Sequence, residues 1–573
     1  MKKIFNIICA ISVACGFTAC DSFLDEHTPQ ATLSDEQVKT PENAEAMVVS
    51  AYAIFTTAED INSSFSMWNF DVRSDDAYKG GNGTSDGDVF HQLEIQQGVL
   101  TTNWNLNDIW ARLYNSLSRV NSAIALLNES EYNMKQQRLA EMKFLRAYGH
   151  FLLKRLFKNI PFVINESMTY DEYNELSNTE YTNDEGWQLI IDDLIEAYNT
   201  LPVTQEDKGR PTKASAAAFL AKVYLYKAYR QDDAKSNQVT SVNQAELEKV
   251  IEFTDPRLYT NYGLENDIHN NFRPEEQYEN GKESLWAIQY SRNDGSTYGN
   301  LNWSYGLIPP NIPGATDGGC DFYKPSQNLV NAYRTGDDGL PFLDTFNSKD
   351  YDIASDNADP RLFLTVGIPG LPYMFNKNFM MEKTSIWSRS NGLYGYNVSL
   401  KQNVDPALID QYLIKGSYWA SSMNRIVFRY ADVLLMRAEA YAQLGQTDQA
   451  ISLVNQIRSR AASSTQMISS YPSAFGVKFY ITNYKGNYSK EETLKIVKME
   501  RRLELGMECE RFFDLVRWGD AASVLNKYYA EEIDNCAIYS DAHFTANKDE
   551  YLPIPFSQIS ASNGHYTQNI GNW

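Results

Sequence analysis

The sequence predicts a mainly α chain, a helical-repeat scaffold of paired helices that carries a large irregular, loop-rich subdomain. Apolar residues recur at three- and four-residue intervals in separated blocks, the spacing that lines one face of a helix. Small residues and Gly fall where two such helices would meet and turn. Between about 254 and 428 the helical period lapses into a stretch rich in Gly, Asn, Pro and aromatic residues. The 573 residues would fill about three or four domains of ~150 residues each, yet a single repeat array absorbs the same length.

A first helix is expected over about 41–57, followed by a Gly/Asn/Asp/Ser-rich stretch over 58–105 that reads as loop and short strand. Helices over about 107–128 and 135–157 come next. In the second, Phe144, Leu145, Tyr148, Phe151, Leu152 and Leu156 form one apolar face, so the two should pack as an antiparallel pair. A second pair covers 184–201 and 213–229, where Ala214, Ala216, Ala217, Ala218, Ala221 and Ala228 let backbones approach closely. A third covers 430–444 and 447–460. It turns at Gly445, where a left-handed C-cap costs Gly little, and restarts at Thr447 or Asp448, both good N-cap types. The placement of Ala438, Gly445 and Ala450 is that of a tetratricopeptide-type helix pair, without the full consensus. A fourth helical block is expected over 490–518. The helical parts are thus about 107–229 and 430–518, and the irregular parts 58–105 and 254–428. That much irregular chain is usually functional.

Charge narrows the partners. The balance of 51 Lys+Arg against 73 Asp+Glu gives a net −22, which argues against nucleic acid and against a polybasic membrane surface, since both need a basic footprint. Residues 1–19 read as a secretion signal: Lys2 and Lys3, an apolar run from Ile4, then small residues before Cys20. The run is too short to span a bilayer, and no later stretch has about 20 apolar residues without charges. A Cys directly after a small residue resembles the lipobox of bacterial lipoproteins. Cys20 is therefore the expected lipidation site, and two or three acyl chains would anchor the chain durably. The alternative is an ordinary leader whose Cys is incidental. Asp21, Asp25 and Glu26 after it resemble surface-export signals of Bacteroidetes lipoproteins. Beyond the leader and Cys20 remain Cys320, Cys509 and Cys536, an odd number without zinc-like spacing. Burial is the expectation for all three, with a Cys509–Cys536 disulfide as the alternative in an oxidising envelope.

Enzyme motifs are wanting. There is no His-Glu-x-x-His, and His27, His91, His150, His269, His543 and His565 are scattered. Gly81-Asn82-Gly83 neither follows a clear strand nor opens a helix, so it reads as a turn. Asp337-Asp338 and the acids of 350–359 lack EF-hand order. No cofactor or metal is implied. A glycosidase needs only two carboxylates about 5 to 10 Å apart, so a surface hydrolase stays as a less favoured reading.

Recognition comes from other residues. Glu500-Arg501-Arg502-Leu503-Glu504-Leu505, followed by Glu508, Arg511-Phe512-Phe513-Asp514-Leu515 and Arg517-Trp518, resembles the C-terminal signature of the SusD/RagB family of Bacteroidetes outer-membrane lipoproteins. So do the stretch from Arg429-Tyr430-Ala431-Asp432 to Ala440 and the ending Leu552-Pro553-Ile554-Pro555. Phe144-Leu145-Arg146-Ala147 and Gly209-Arg210-Pro211-Thr212-Lys213 match as well. Cys509 stands where the family commonly has Gly, and Lys143 where it commonly has Arg. Read from the residues alone, Arg501, Arg502, Glu504, Glu508, Arg511 and Asp514 recur at spacings that permit i,i+3 and i,i+4 ion pairs, so they should hold the scaffold. Leu552-Pro553-Ile554-Pro555 should be extended, because each Pro disfavours helix for the residue before it.

The resemblance implies a non-catalytic, cell-surface glycan-binding lipoprotein of the outer membrane that delivers oligosaccharide to a SusC-like TonB-dependent transporter. Its ligand loops lie outside the signature and must be argued from chemistry. Sugar hydroxyls call for carboxylates, amides and Arg, and ring C–H faces call for an aromatic surface. The candidates are Asp60, Asn62, Asp86 and Trp104 from the first irregular stretch. The Gly318-Gly319-Cys320 turn and Arg389 with Tyr394 come from the second, so Cys320, Arg389 and Tyr394 join the set. Trp286 and Trp387 read as readily as core. A furanose offers no broad apolar face, and this set is rich in acid, so a levan-type fructan is the expected ligand. Starch-, xylan- or mannan-type glycans, and a peptide as in RagB-like members, are the alternatives.

Overall fold

The computed structural model describes residues 39–56, 71–295, 299–415 and 419–573. Cys20, Asp60 and Asn62 lie outside the described residues. The helices come mainly in pairs. Helix α1 (Pro41–Ala53) starts at Thr40, whose hydroxyl accepts the Asn43 N–H, with Pro at the first position. Strand β1 (Ala77–Gly80) and helix α2 (Asp88–Ile95) follow. The helix falls where the sequence reads as loop and short strand. It begins after Gly87 in a left-handed conformation without any side-chain cap, so the usual start signal is missing.

Helices α3 (Trp104–Glu129) and α4 (Lys135–Phe157) form the first pair, then α5 (Asn183–Thr200) and α6 (Lys213–Ala228) the second. The caps explain the boundaries. Thr182 and Glu185 make a capping box at α5, and Thr212 with Ser215 makes another at α6. Nearly every side chain of α6 is buried, because its alanines let α5, helix α7 (Gln244–Phe253) and the later scaffold close on it from several sides. Strand β2 (Ser284–Ile288), strand β3 (Phe322–Pro325) and strand β4 (Arg425–Arg429) are short pieces of the irregular region. β4 runs antiparallel to β2 and leads directly into helix α8 (Tyr430–Gln443), which pairs with α9 (Thr447–Ser463) across Gly445 at φ +76°. Trp286 on β2 packs its ring edge-on to Phe144 and Tyr148 of α4, and so belongs to the core. Trp387 is likewise buried, against Tyr373 in a smaller cluster of its own.

The expected block over 490–518 divides into α10 (Lys490–Leu505) and α11 (Arg511–Trp518), with α12 (Ala521–Glu532) after it. Between α10 and α11 the chain turns through left-handed residues, Met507 at φ +63° and Cys509 at φ +66°. That conformation favours Gly, the residue the resemblance noted above leads one to expect at position 509. The charge network differs from the expectation in direction. Most of its pairs reach across the fold, and Arg517–Asp514 is the neighbouring i,i+3 pair in α11. Arg501 binds Asp514 and Asp432, Arg502 binds Asp76, and Arg511 grips Asp75 with two nitrogens at 2.8 and 2.9 Å. Glu504, wholly buried, accepts from Arg361, Arg429 and Arg460. These pairs tie the irregular region to the helical stack. Cys320, Cys509 and Cys536 are buried thiols that form no disulfide with one another. Among the described residues no helix is long and apolar enough to cross a membrane.

Helix α13 (Phe556–Ala561) closes the fold. Leu552-Pro553-Ile554-Pro555 before it is extended. The Leu552 N–H donates to Leu156 O at 2.8 Å, and Ile554 is fully buried.

Candidate functional site

Strand β1 is the link between the two irregular parts of the chain. It pairs antiparallel with β3, setting Ala77 opposite Pro325 and Gly80 opposite Phe322. The pairing is close because Gly80 and Gly81 lie at φ +76° and +74°. A Cβ on Gly81 would sit 2.2 Å from the Phe322 ring, so no larger residue fits without displacement. Residues 80–87 therefore loop out directly over the 318–321 turn.

One side chain holds that loop. The Lys79 ammonium is buried and donates to three backbone carbonyls, Gly80 at 2.9 Å, Gly83 at 2.9 Å and Asp86 at 2.7 Å. All three of its protons are thereby used. Its nitrogen lies 5.4 Å from the centres of the Phe322 and Tyr394 rings, within range of a cation–π contact. Burial pulls the lysine below its usual pKa, while the carboxylates of Glu94 and Asp86 act in the opposite direction.

The braced loop presents Asp86. Its carboxylate accepts the Asn82 N–H at 2.8 Å and faces Arg389 Nη1 at 3.3 Å, with both side chains about one-third exposed. Arg389 is fixed in turn. Nη1 donates to Cys320 O at 3.2 Å, and its backbone N–H donates to Asp321 at 2.9 Å. Asp321 is buried, which raises its pKa, and Lys324 at 2.6 Å opposes that rise. The arrangement offers a carboxylate and a guanidinium side by side at the surface, the pairing that grips vicinal hydroxyls.

Four sequence candidates, Asp86, Cys320, Arg389 and Tyr394, thus converge, although Asp86 and Arg389 lie 303 residues apart in the chain. Their roles differ from the expectation in two cases. Tyr394 is wholly buried, so its ring offers no face to a ligand and instead walls the Lys79 ammonium. Cys320 is buried, burial pushes its thiol up to about 11, and it contributes through its backbone carbonyl. Trp104 is the first residue of α3 rather than a loop residue, since Asn103 caps the helix by accepting the Asn105 N–H. Its indole is 53% exposed and rests edge-on against Phe90 of α2 at 6.2 Å. Phe90 follows Asp86 by four residues, so the indole stands on the element that leaves the braced loop. Lys79 and Asn82 escaped the sequence reading. The signal available was a Lys beside a Gly-rich run, which does not tell a buried brace from a solvated loop.

A stack of helix pairs that clamps two long loop regions through buried ion pairs is a tetratricopeptide-like scaffold with long loops grafted onto it. The chain belongs to the SusD family: residues 282–573 match that family, and residues 22–225 match a family described as "Starch-binding associating with outer membrane". Among its relatives, SusD-like protein P38 of Formosa agariphila is 27% identical over 538 residues, covering 92% of this chain and 94% of that protein. A solved structure described as a laminarin binding SusD-like protein superposes with a TM-score of 0.64 at 22% identity, covering 93% of this chain and all of that one. Surface glycan-binding protein A from Bacteroides thetaiotaomicron, solved in complex with laminarihexaose, gives 0.62 at 21% identity, covering 92% and 99%. They share the helical fold.

Proposed function

We propose that the chain is a lipid-anchored, non-catalytic glycan-binding protein of the bacterial outer surface. It captures polysaccharide on the face built from Asp86, Arg389 and Trp104 and passes it to a SusC-like TonB-dependent transporter. The observation that carries this reading is the braced loop of residues 80–87, which spends a buried lysine on holding an exposed carboxylate against an exposed guanidinium. A preorganised polar pair suits sugar hydroxyls, and the exposed indole of Trp104 suits a sugar C–H face. Asp86 is committed to Asn82 and Arg389, as fits a gripping group rather than an acid or nucleophile. Family membership and the outer-membrane description of the N-terminal match support the location, and the lipobox at Cys20 supports the anchor.

The finer ligand expected, a levan-type fructan, rests on the lack of a broad apolar face on a furanose and on a set rich in acid. Trp104 changes that balance, because a half-exposed indole matches a pyranose face better than a furanose. The two solved relatives named above carry laminarin or laminarihexaose in their descriptions. A pyranosyl glycan such as a β-glucan is therefore the better supported ligand, with levan second.

Isothermal titration against laminarin, starch, xylan, mannan, levan, inulin and peptides tests the reading. Binding to a glycan, with no release of reducing ends, is expected. Trp104→Ala should weaken it at least tenfold, about 1.4 kcal/mol. Binding to peptides alone, or turnover of a polymer by the purified chain, would refute the proposal.

A further inference from the structure

Three large apolar side chains at one place on the surface remain exposed: Leu100 at 60%, Trp104 at 53% and Phe556 at 57%. Their stretches of backbone lie close together. The Phe556 N–H donates to Thr101 O at 2.9 Å, so the start of α13 lies against the residues that lead into α3. Three residues reach at most ~10 Å along the chain, so Thr101 and Trp104 are near neighbours. The contact continues, because Ser557 Oγ at 2.5 Å and Gln558 Nε2 at 2.9 Å both bond Asn107 Oδ1.

Phe556 is held out rather than loose. The extended Leu552–Pro555 segment delivers it, and two prolines restrict that segment. Ile554 is buried beneath it, its N–H bonded to Gln568 Oε1 at 2.7 Å. An apolar ring on a stiff mount loses little freedom when it binds, and leaving it exposed is otherwise unfavourable. Beside it stand a hydroxyl and two amides, from Ser557, Gln558 and Asn107. A ring flanked by hydroxyl and amide groups has the chemistry that recognises a sugar, where C–H faces alternate with hydroxyl edges.

We infer that Phe556, with Leu100 beside it, forms a second stacking subsite continuous with Trp104, and that the pair selects an extended polymer of pyranose rings. The inference rests on the glycan-binding reading and deepens it. Two neighbouring aromatic platforms suit successive flat rings in a chain, whereas a furanosyl polymer offers no such faces in series.

The test is isothermal titration of the purified chain with laminarihexaose, maltohexaose, xylohexaose, mannohexaose and levan. Wild type, Phe556→Ala, Phe556→Trp and Trp104→Ala are compared. A pyranosyl hexaose should bind the wild type. Phe556→Ala should weaken it at least tenfold, Phe556→Trp should hold it within threefold of wild type, and the melting temperature of both variants should stay unchanged because the ring is exposed. Wild-type affinity in Phe556→Ala alongside loss in Trp104→Ala would remove the second subsite and leave the glycan reading standing. Binding of levan alone would overturn the pyranose selection, and failure of every glycan would remove the glycan reading itself.

Discussion

Replacing Lys79 by Met keeps the stem and removes the ammonium that braces the site. Three N–H···O=C bonds are lost, at 2.9, 2.9 and 2.7 Å. Hydrogen bonds to a charged group contribute about 1.5–3 kcal/mol each. Two terms offset that sum. Met escapes the desolvation that lowers the lysine's pKa, and water can reach the carbonyls of the half-buried Gly83 and Asp86. The net destabilisation expected is about 2–4 kcal/mol. Asn82 and Asp86 ride on the same loop, so glycan affinity should fall at least tenfold. Urea denaturation reads the first quantity and isothermal titration the second. An unchanged midpoint together with unchanged affinity would refute the argument that Lys79 organises the loop. Lost stability with wild-type affinity would show that the brace serves the fold alone.

Glu504→Ala leaves Arg361, Arg429 and Arg460 short of a buried partner and should cost about 3–5 kcal/mol, read as a lower urea midpoint; a midpoint within error of wild type would contradict the network's role. Gly81→Ala places a Cβ against Phe322 at a positive φ and should destabilise by about 1–3 kcal/mol with weaker glycan binding, checked by the same two assays. Glu532, which accepts from Tyr78 and from the Asn328 N–H, is raised by burial to about 7. Its folded pKa lies above the unfolded value, so its contribution is complete below about 4.5 and is lost as pH rises toward 7 and beyond. The urea midpoint of Glu532→Gln should therefore fall less than that of wild type between pH 4.5 and 8, and parallel curves would count against that assignment. Cys20→Ala should release the chain into the aqueous phase on detergent partitioning; retention in the detergent phase would contradict lipidation at that residue.

The helical scaffold was legible because its signals are local. Apolar spacing and alanine content placed the helices of 135–157 and 213–228 almost to the residue, and Gly445 marked its turn. The break inside 490–518 was not read, although Gly506 stands at the C-cap of α10. The charged residues there keep a helical spacing through Leu505 and again from Arg511, while the turn between them uses Met507 and Cys509 in a conformation that Gly normally signals. The ion pairs show the same limit. Spacing along α10 permits neighbour pairs, but burial and long-range topology assign Arg501 to Asp432 and Arg502 to Asp76. At the site, residue chemistry picked out Asp86 and Arg389, yet nothing in the sequence states that β1 meets β3 and brings them to 3.3 Å. Tyr394 and Cys320 were found for their neighbourhood rather than their contact, since exposure is decided by tertiary packing.

The most direct measurement is a crystal structure of the chain with the oligosaccharide it binds best. The account predicts sugar rings against Trp104, with hydroxyls hydrogen-bonded to Asp86 and Arg389 and every glycosidic bond intact. Density for the sugar on another face of the molecule, or a cleaved product, would contradict it.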